Sequence, residues 1–147
     1  MLDKPELNLP PIKMRLKREG DDLYVWDALR RKYLLLTPEE RVRRYVLDFL
    51  TSYCRIPAQS LVQEFPVPLN GTAQRADIVA VGTDSKPFLL VECKAPDVAI
   101  DKDVLAQAAR YNTVVNARYV ILTNGLRHYC YERTADGYRT LSEFPRF

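Results

Sequence analysis

The chain of 147 residues is 47% hydrophobic and 28% charged, the balance of one folded domain and not of a disordered tail or of two ordinary domains. Its 22 basic and 19 acidic residues leave a net charge of only +3, which permits nucleic-acid binding without demanding it. No apolar run reaches the roughly 20 residues of a spanning helix, Met1 to Asn8 shows no signal pattern, and Cys54, Cys93 and Cys130 form no CxxC pair, so a cytoplasmic protein without membrane contact, disulfide framework or structural zinc is expected.

A Pro-punctuated leader ends at Pro10 and Pro11. Ile12, Met14 and Leu16 then alternate with Lys13, Arg15 and Lys17, a period of two that predicts a strand over 12–19. A second strand is predicted over 23–27, and Gly20, Asp21 and Asp22 supply the turn of an N-terminal β-hairpin. Residues 1–36 therefore read as a leader and hairpin extension, and residues 37–147 as the main domain.

Thr37 is placed as an N-cap, Pro38 in the first helical position and Glu40 to close a capping box. Val42, Tyr45, Val46, Phe49, Leu50 and Tyr53 form an apolar stripe at helical spacing, with Arg41, Arg43, Arg44 and Asp48 facing elsewhere and Pro57 marking the end. Three strands over 61–67, 75–81 and 88–94 read as a meander. Val104, Ala108, Tyr111 and Val115 give a second helix over 101–116, followed by strands over 119–123 and 127–132. The order helix, three strands, helix, two strands defines an α/β (α+β) class.

The chemistry lies in Arg-Ala-Asp77-Ile-Val and Leu-Val-Glu92-Cys-Lys94-Ala-Pro. If Val81 pairs with Phe88, an antiparallel register sets Asp77 opposite Glu92, with Cβ atoms roughly 5 Å apart. Lys94, two residues beyond Glu92, then shares the face of both acids, while Leu89, Val91 and Cys93 point away. Opposed carboxylates without a cation repel, so the arrangement expects positive charge. Hard carboxylate ligands suit Mg²⁺ or Mn²⁺, with the backbone carbonyl of Cys93 as a further ligand. Phosphodiester hydrolysis follows, the metal activating water and Lys94 steadying the phosphate.

These residues resemble the PD-(D/E)XK nucleases, and within them the N-terminal nuclease domain of the restriction subunit of type I restriction enzymes. Ala76 stands where the family name has proline. The resemblance also takes in Gln107 and Tyr111 as a Gln-x-x-x-Tyr element, Leu36 to Glu40 leading the first helix, and Leu122-Thr123-Asn124-Gly125. It implies a restriction-endonuclease-like core, DNA as substrate, a supporting role for Gln107 and Tyr111, and an extra acid near the metal at the place of Glu40. Cleavage of both strands by one small site needs two copies, so a homodimer or a larger restriction or helicase partner is expected.

Plainer readings stand beside these. Glu40 is explained by the capping box alone, Tyr111 by the core, and His128 as a structural histidine near Cys130. Lys94, Gln107, Arg43 and Arg44 are candidates for phosphate contact, although solvated surface accounts equally for the arginines. The expected activity is a metal-dependent DNA endonuclease of restriction or defence type. A nucleic-acid-binding or docking module with the same fold, and a structure-selective or exonucleolytic repair nuclease, are the alternatives.

Overall fold

A computed structural model describes residues 6–147, so the first five residues of the predicted leader lie outside the described residues. The chain is α+β, with a three-stranded antiparallel sheet, a six-stranded mixed sheet and two α-helices among the described residues. The small sheet consists of β1 (Leu16–Glu19), β2 (Asp22–Asp27) and β3 (Lys32–Leu35), so the predicted hairpin carries an additional strand. The 12–15 portion of the first predicted strand lies outside β1. Lys32–Leu35 is too short for its alternation to stand out in the sequence.

Helix α1 (Pro38–Ser52) starts as expected, with the Glu40 N–H donating to Thr37 Oγ1 at 3.0 Å. The capping box does not close. The Thr37 N–H donates to the Leu35 carbonyl instead, and the Glu40 carboxylate turns to Arg43 and Arg44, where two guanidinium groups outweigh one amide. Tyr53 leaves the predicted stripe because it is the C-cap and 61% exposed. Arg43 and Arg44, expected to face elsewhere or lie on the surface, are buried.

The large sheet runs β4 (Leu61–Leu69), β5 (Thr72–Val81), β6 (Pro87–Cys93), β7 (Tyr119–Thr123), β8 (His128–Thr134) and β9 (Gly137–Leu141), in sequence order across the sheet. The first three strands form the predicted meander. Helix α2 (Lys102–Val115), capped by Asp101 and ended by left-handed Asn116 at φ 63°, carries the chain across so that β7 joins β6 in parallel. A third strand, β9, follows the two predicted after α2.

Two apolar clusters fix the layers. Val42, Val46, Leu47 and Leu50 of α1 cluster with Ile78, Ala80, Leu89, Val91 and Cys93, while Ala108, Tyr111 and Val115 of α2 cluster with Val79, Leu90, Val120 and Leu122. The sheet is thus covered by α1 on one face and α2 on the other, which is why β6 reads as an unbroken apolar run. Alternation reverses once: Ile78 and Ala80 belong to the α1 cluster, yet Ala76 belongs to the α2 cluster. The reversal falls at Asp77, beside a β4 residue, Glu64, held at φ 53°.

Gly125, in the Leu-Thr-Asn-Gly segment after β7, sits at φ 87°, and a Cβ there would stand 2.8 Å from Leu7 Cδ2 and 3.1 Å from Val42 Cγ2. Gly125→Ala combines a left-handed penalty with overpacking, so we expect a loss of about 2 kcal/mol or more, read from the urea midpoint.

Candidate active site

The predicted register of β5 and β6 is present where it matters. Ile78 pairs with Val91, Val79 with Leu90 and Ala80 with Leu89. Val81 pairs with Pro87 and not Phe88, because a bulge takes up one residue between Ala80 and Val81, on the turn side of the site. Continuing the register past Ile78 sets Asp77 opposite Glu92.

Here side chains replace the ladder. The Asp77 N–H donates to Glu92 Oε1 at 3.1 Å, and the Cys93 N–H donates to Asp77 Oδ2 at 2.7 Å. Each carboxylate is therefore held by the backbone of these two strands, and the two acids cannot drift apart while the strands stay paired. Asp77 Oδ1 faces Arg43 Nη2 at 3.3 Å.

Glu92 is only 5% exposed, and its carboxyl is pushed up to about 8, first by burial and then by the charge of Asp77, with Lys94 working in the opposite direction. Without a further cation, Glu92 therefore holds its proton to a higher pH than an ordinary carboxylate does. Lys94 follows the end of β6, half-buried, with its N–H donating to the Thr123 carbonyl at 2.8 Å. Its charge reaches both Glu92 and Glu39. The Cys93 thiol is buried in the α1 cluster and pushed well above its ordinary range by burial and then by Asp77, so only the Cys93 backbone is suited to the site.

The α2 side contributes Tyr111. Its phenol is raised by burial and then by Glu92 and Asp77, and its hydroxyl donates to Gln74 Oε1 at 3.3 Å. Gln107 is half-buried one turn earlier on the same helical face.

The first helix differs from expectation. The acid whose charge meets Asp77 and Lys94 is Glu39, raised by burial and then by Asp77. Glu40 instead sits 3.7 Å from Arg43 Nη1 and 2.8 Å from Arg44 Nε. The signal was available: Glu39–Arg43 and Glu40–Arg44 are both spaced four apart, so the two pairs occupy adjacent stripes of α1. Gln74 was also missed, since nothing in the sequence ties it to Tyr111.

Arg43 and Arg44 form a buried chain of charge from the small sheet to the acidic pair. Arg43 loses solvation by burial, but Glu40 and then Asp77 more than offset this and raise its pKa. Arg44 pairs with Glu40, with Gln63 and, at 3.4 Å, with Asp27 Oδ2. Asp27, 1% exposed, also accepts from Arg30 Nε at 2.6 Å and from Gln63 Nε2 at 3.0 Å. Burial works to raise Asp27, but Arg30 and Arg44 outweigh it and hold the carboxyl below its ordinary value.

Of the remaining sequence candidates, His128 bonds Thr123 Oγ1 through Nδ1 at 2.7 Å and the Asn8 carbonyl through Nε2 at 2.8 Å, a structural role. Cys93 and Cys130 are buried free thiols, and Cys54 is only half-buried. Among the described residues, no three His, Cys, Asp or Glu side chains are gathered as a metal-ligand group. No helix is long and apolar enough to cross a membrane.

An α+β domain whose central strands bring two acids and a lysine to one end of a mixed sheet is the class that fold and site define. Residues 38–145 match the model of the type I restriction enzyme R protein N terminus, and the chain belongs to that family. No curated protein matches it.

Two outcomes follow from these charges. Because the pKa of Glu92 is raised on folding, its effect on stability is absent below about pH 4.5 and becomes increasingly unfavourable up to about pH 8. In EDTA, urea unfolding should therefore show stability falling over that window, and Glu92→Gln should flatten the fall. Asp27→Ala removes the buried acid that Arg44 and half-buried Arg30 share, leaving Arg44 to Glu40 and Arg30 to Glu64, and we expect a loss of about 3 kcal/mol in the same assay.

Proposed function

We propose that this domain hydrolyses DNA phosphodiester bonds in a divalent-metal-dependent reaction, as the nuclease part of a restriction system and with the core of the PD-(D/E)XK superfamily. The observation that carries the reading is the mutual clamp of Asp77 and Glu92, which holds two carboxylates together at the mouth of β5 and β6 beside Lys94.

The donor set fits a hard cation. Two carboxylates and a carbonyl are what Mg²⁺ or Mn²⁺ takes when it keeps waters and a substrate phosphate, and positive charge there offsets the burial and the Asp77 repulsion that raise the Glu92 carboxyl. Asp77, Glu92 and the Cys93 carbonyl would hold it, with Glu39 in the place assigned from the sequence to Glu40. Bound there, the ion supplies Lewis-acid charge to a phosphoryl oxygen and lowers the pKa of a water.

The chain's own groups do the rest. Lys94 brings its ammonium charge to the same end of the sheet, suited to a non-bridging phosphate oxygen or to orienting the attacking water. Arg43 fixes the Asp77 rotamer through Oδ1, and Tyr111 walls the α2 side, with Gln107 one turn before it on α2. Buried in ion pairs, Arg43 and Arg44 serve the acids before they serve a phosphate. Cutting both strands of a duplex with one such site calls for a second copy or a larger restriction complex.

The test is incubation of supercoiled, linear and branched DNA with Mg²⁺ or Mn²⁺ against EDTA. Asp77→Ala and Lys94→Ala should each lower cleavage by about 100-fold or more, with DNA affinity unchanged in Asp77→Ala. Glu39→Gln should cost more activity than Glu40→Gln. Cleavage in EDTA, or undiminished in the Asp77 and Lys94 variants, would place the centre elsewhere. Binding without cutting in either metal would make this a docking module, a reading that the hold of Arg43 on Asp77 would then explain.

A further inference from the structure

The outer face of the small sheet combines positive charge with aromatic rings. Lys17 pairs with Tyr24, Trp26 with Tyr33 and Tyr24 with Leu35, and the Trp26 N–H donates to the Arg15 carbonyl at 2.8 Å. Alternation therefore puts these six residues on one face, while Val25 and Asp27, each 1% exposed, are buried on the other.

Aromatic rings on a sheet are ordinarily covered by an apolar layer. Over these rings lie cations: the Arg15 guanidinium is 5.0 Å from the Trp26 centroid and 5.9 Å from that of Tyr33, and the Lys17 ammonium is 4.5 Å from Tyr33. Trp26 and Tyr33 meet edge to face at 5.1 Å, forming a small platform.

Charge points the same way. Residues 12–36 hold seven basic and four acidic residues, an excess equal to the whole chain's +3. Of those acids, Asp27 is buried and neutralised beneath the sheet. Glu19 is paired with Lys17 at 3.0 Å in solvent, an exposed pair that a polyanion readily displaces.

We propose that this face binds an unpaired nucleic-acid strand, with Arg15 and Lys17 supplying charge to the phosphates and Trp26 and Tyr33 a surface on which bases stack. Every base has a π-face, so such stacking tolerates sequence, and the Arg15 plane adds a stacking cation. A duplex keeps its bases stacked on one another and offers only its phosphates. Binding here needs neither the acidic pair nor a divalent cation, so it goes beyond the cleavage reading and stands or falls separately.

Trp26 is the only tryptophan, so its emission reports this face alone. The whole chain is titrated in EDTA with oligothymidylate of about 16 nucleotides. We expect emission to be quenched, affinity to fall with salt, and Arg15→Glu/Lys17→Glu to weaken binding roughly tenfold or more at unchanged melting temperature. Should the reversal disturb folding, Lys17→Gln and Tyr33→Leu test the same face, each expected to weaken binding several-fold. Strand binding that leaves Trp26 emission unchanged, equal quenching by a blunt duplex of the same length, or full affinity in the folded variants would overturn the proposal. A null result in EDTA leaves the metal-dependent cleavage assay untouched.

Discussion

The site depends on a substitution of side chain for backbone at the end of two strands. Past Ile78 and Val91, the N–H groups of Asp77 and Cys93 are taken up by the carboxylates of Glu92 and Asp77. A buried amide must find an acceptor, and here the acceptors are the acids themselves. Burying Glu92 and holding it against Asp77 both cost electrostatic energy, which shows as the raised pKa of Glu92. Packing of α1 and α2 on opposite faces of the sheet keeps the strands paired despite that cost.

The charge of Asp77 is balanced from α1. Arg43 reaches it across the point where side-chain alternation reverses, opposite the left-handed Glu64. Without that reversal, Asp77 would keep strict step with Val79 on the α2 side of the sheet. The balance extends through Glu40 and Arg44 to Asp27, so that the small N-terminal sheet is tied to the acidic pair by buried charge. Members of such a chain are interdependent, because removal of one leaves the next without a partner.

Membership of the type I restriction enzyme R protein N-terminal family covers residues 38–145 and so leaves the small sheet to its own account. That sheet presents two different faces. Its inner side carries Asp27 into the charge network, and its outer side carries aromatic rings beneath cations. A single strand, β2, serves both by the alternation of its side chains.

The sequence by itself determined the elements that rest on local pattern. The Thr37 cap, the two apolar stripes, the meander and the opposition of Asp77 and Glu92 follow from local capping chemistry, from periods of two and 3.6 and from a register that needs only neighbouring strands. Tertiary structure decided what depends on competition among distant groups. Glu40 was drawn from the capping box to Arg43 and Arg44, Glu39 was left facing Asp77 and Lys94, and two arginines with surface spacing were buried by acids on β2 and β5. The short strands β3 and β9 likewise form because a paired edge was waiting for them. Periodicity records which way a side chain points; it does not record which of several partners of opposite charge the folded chain will bring within reach.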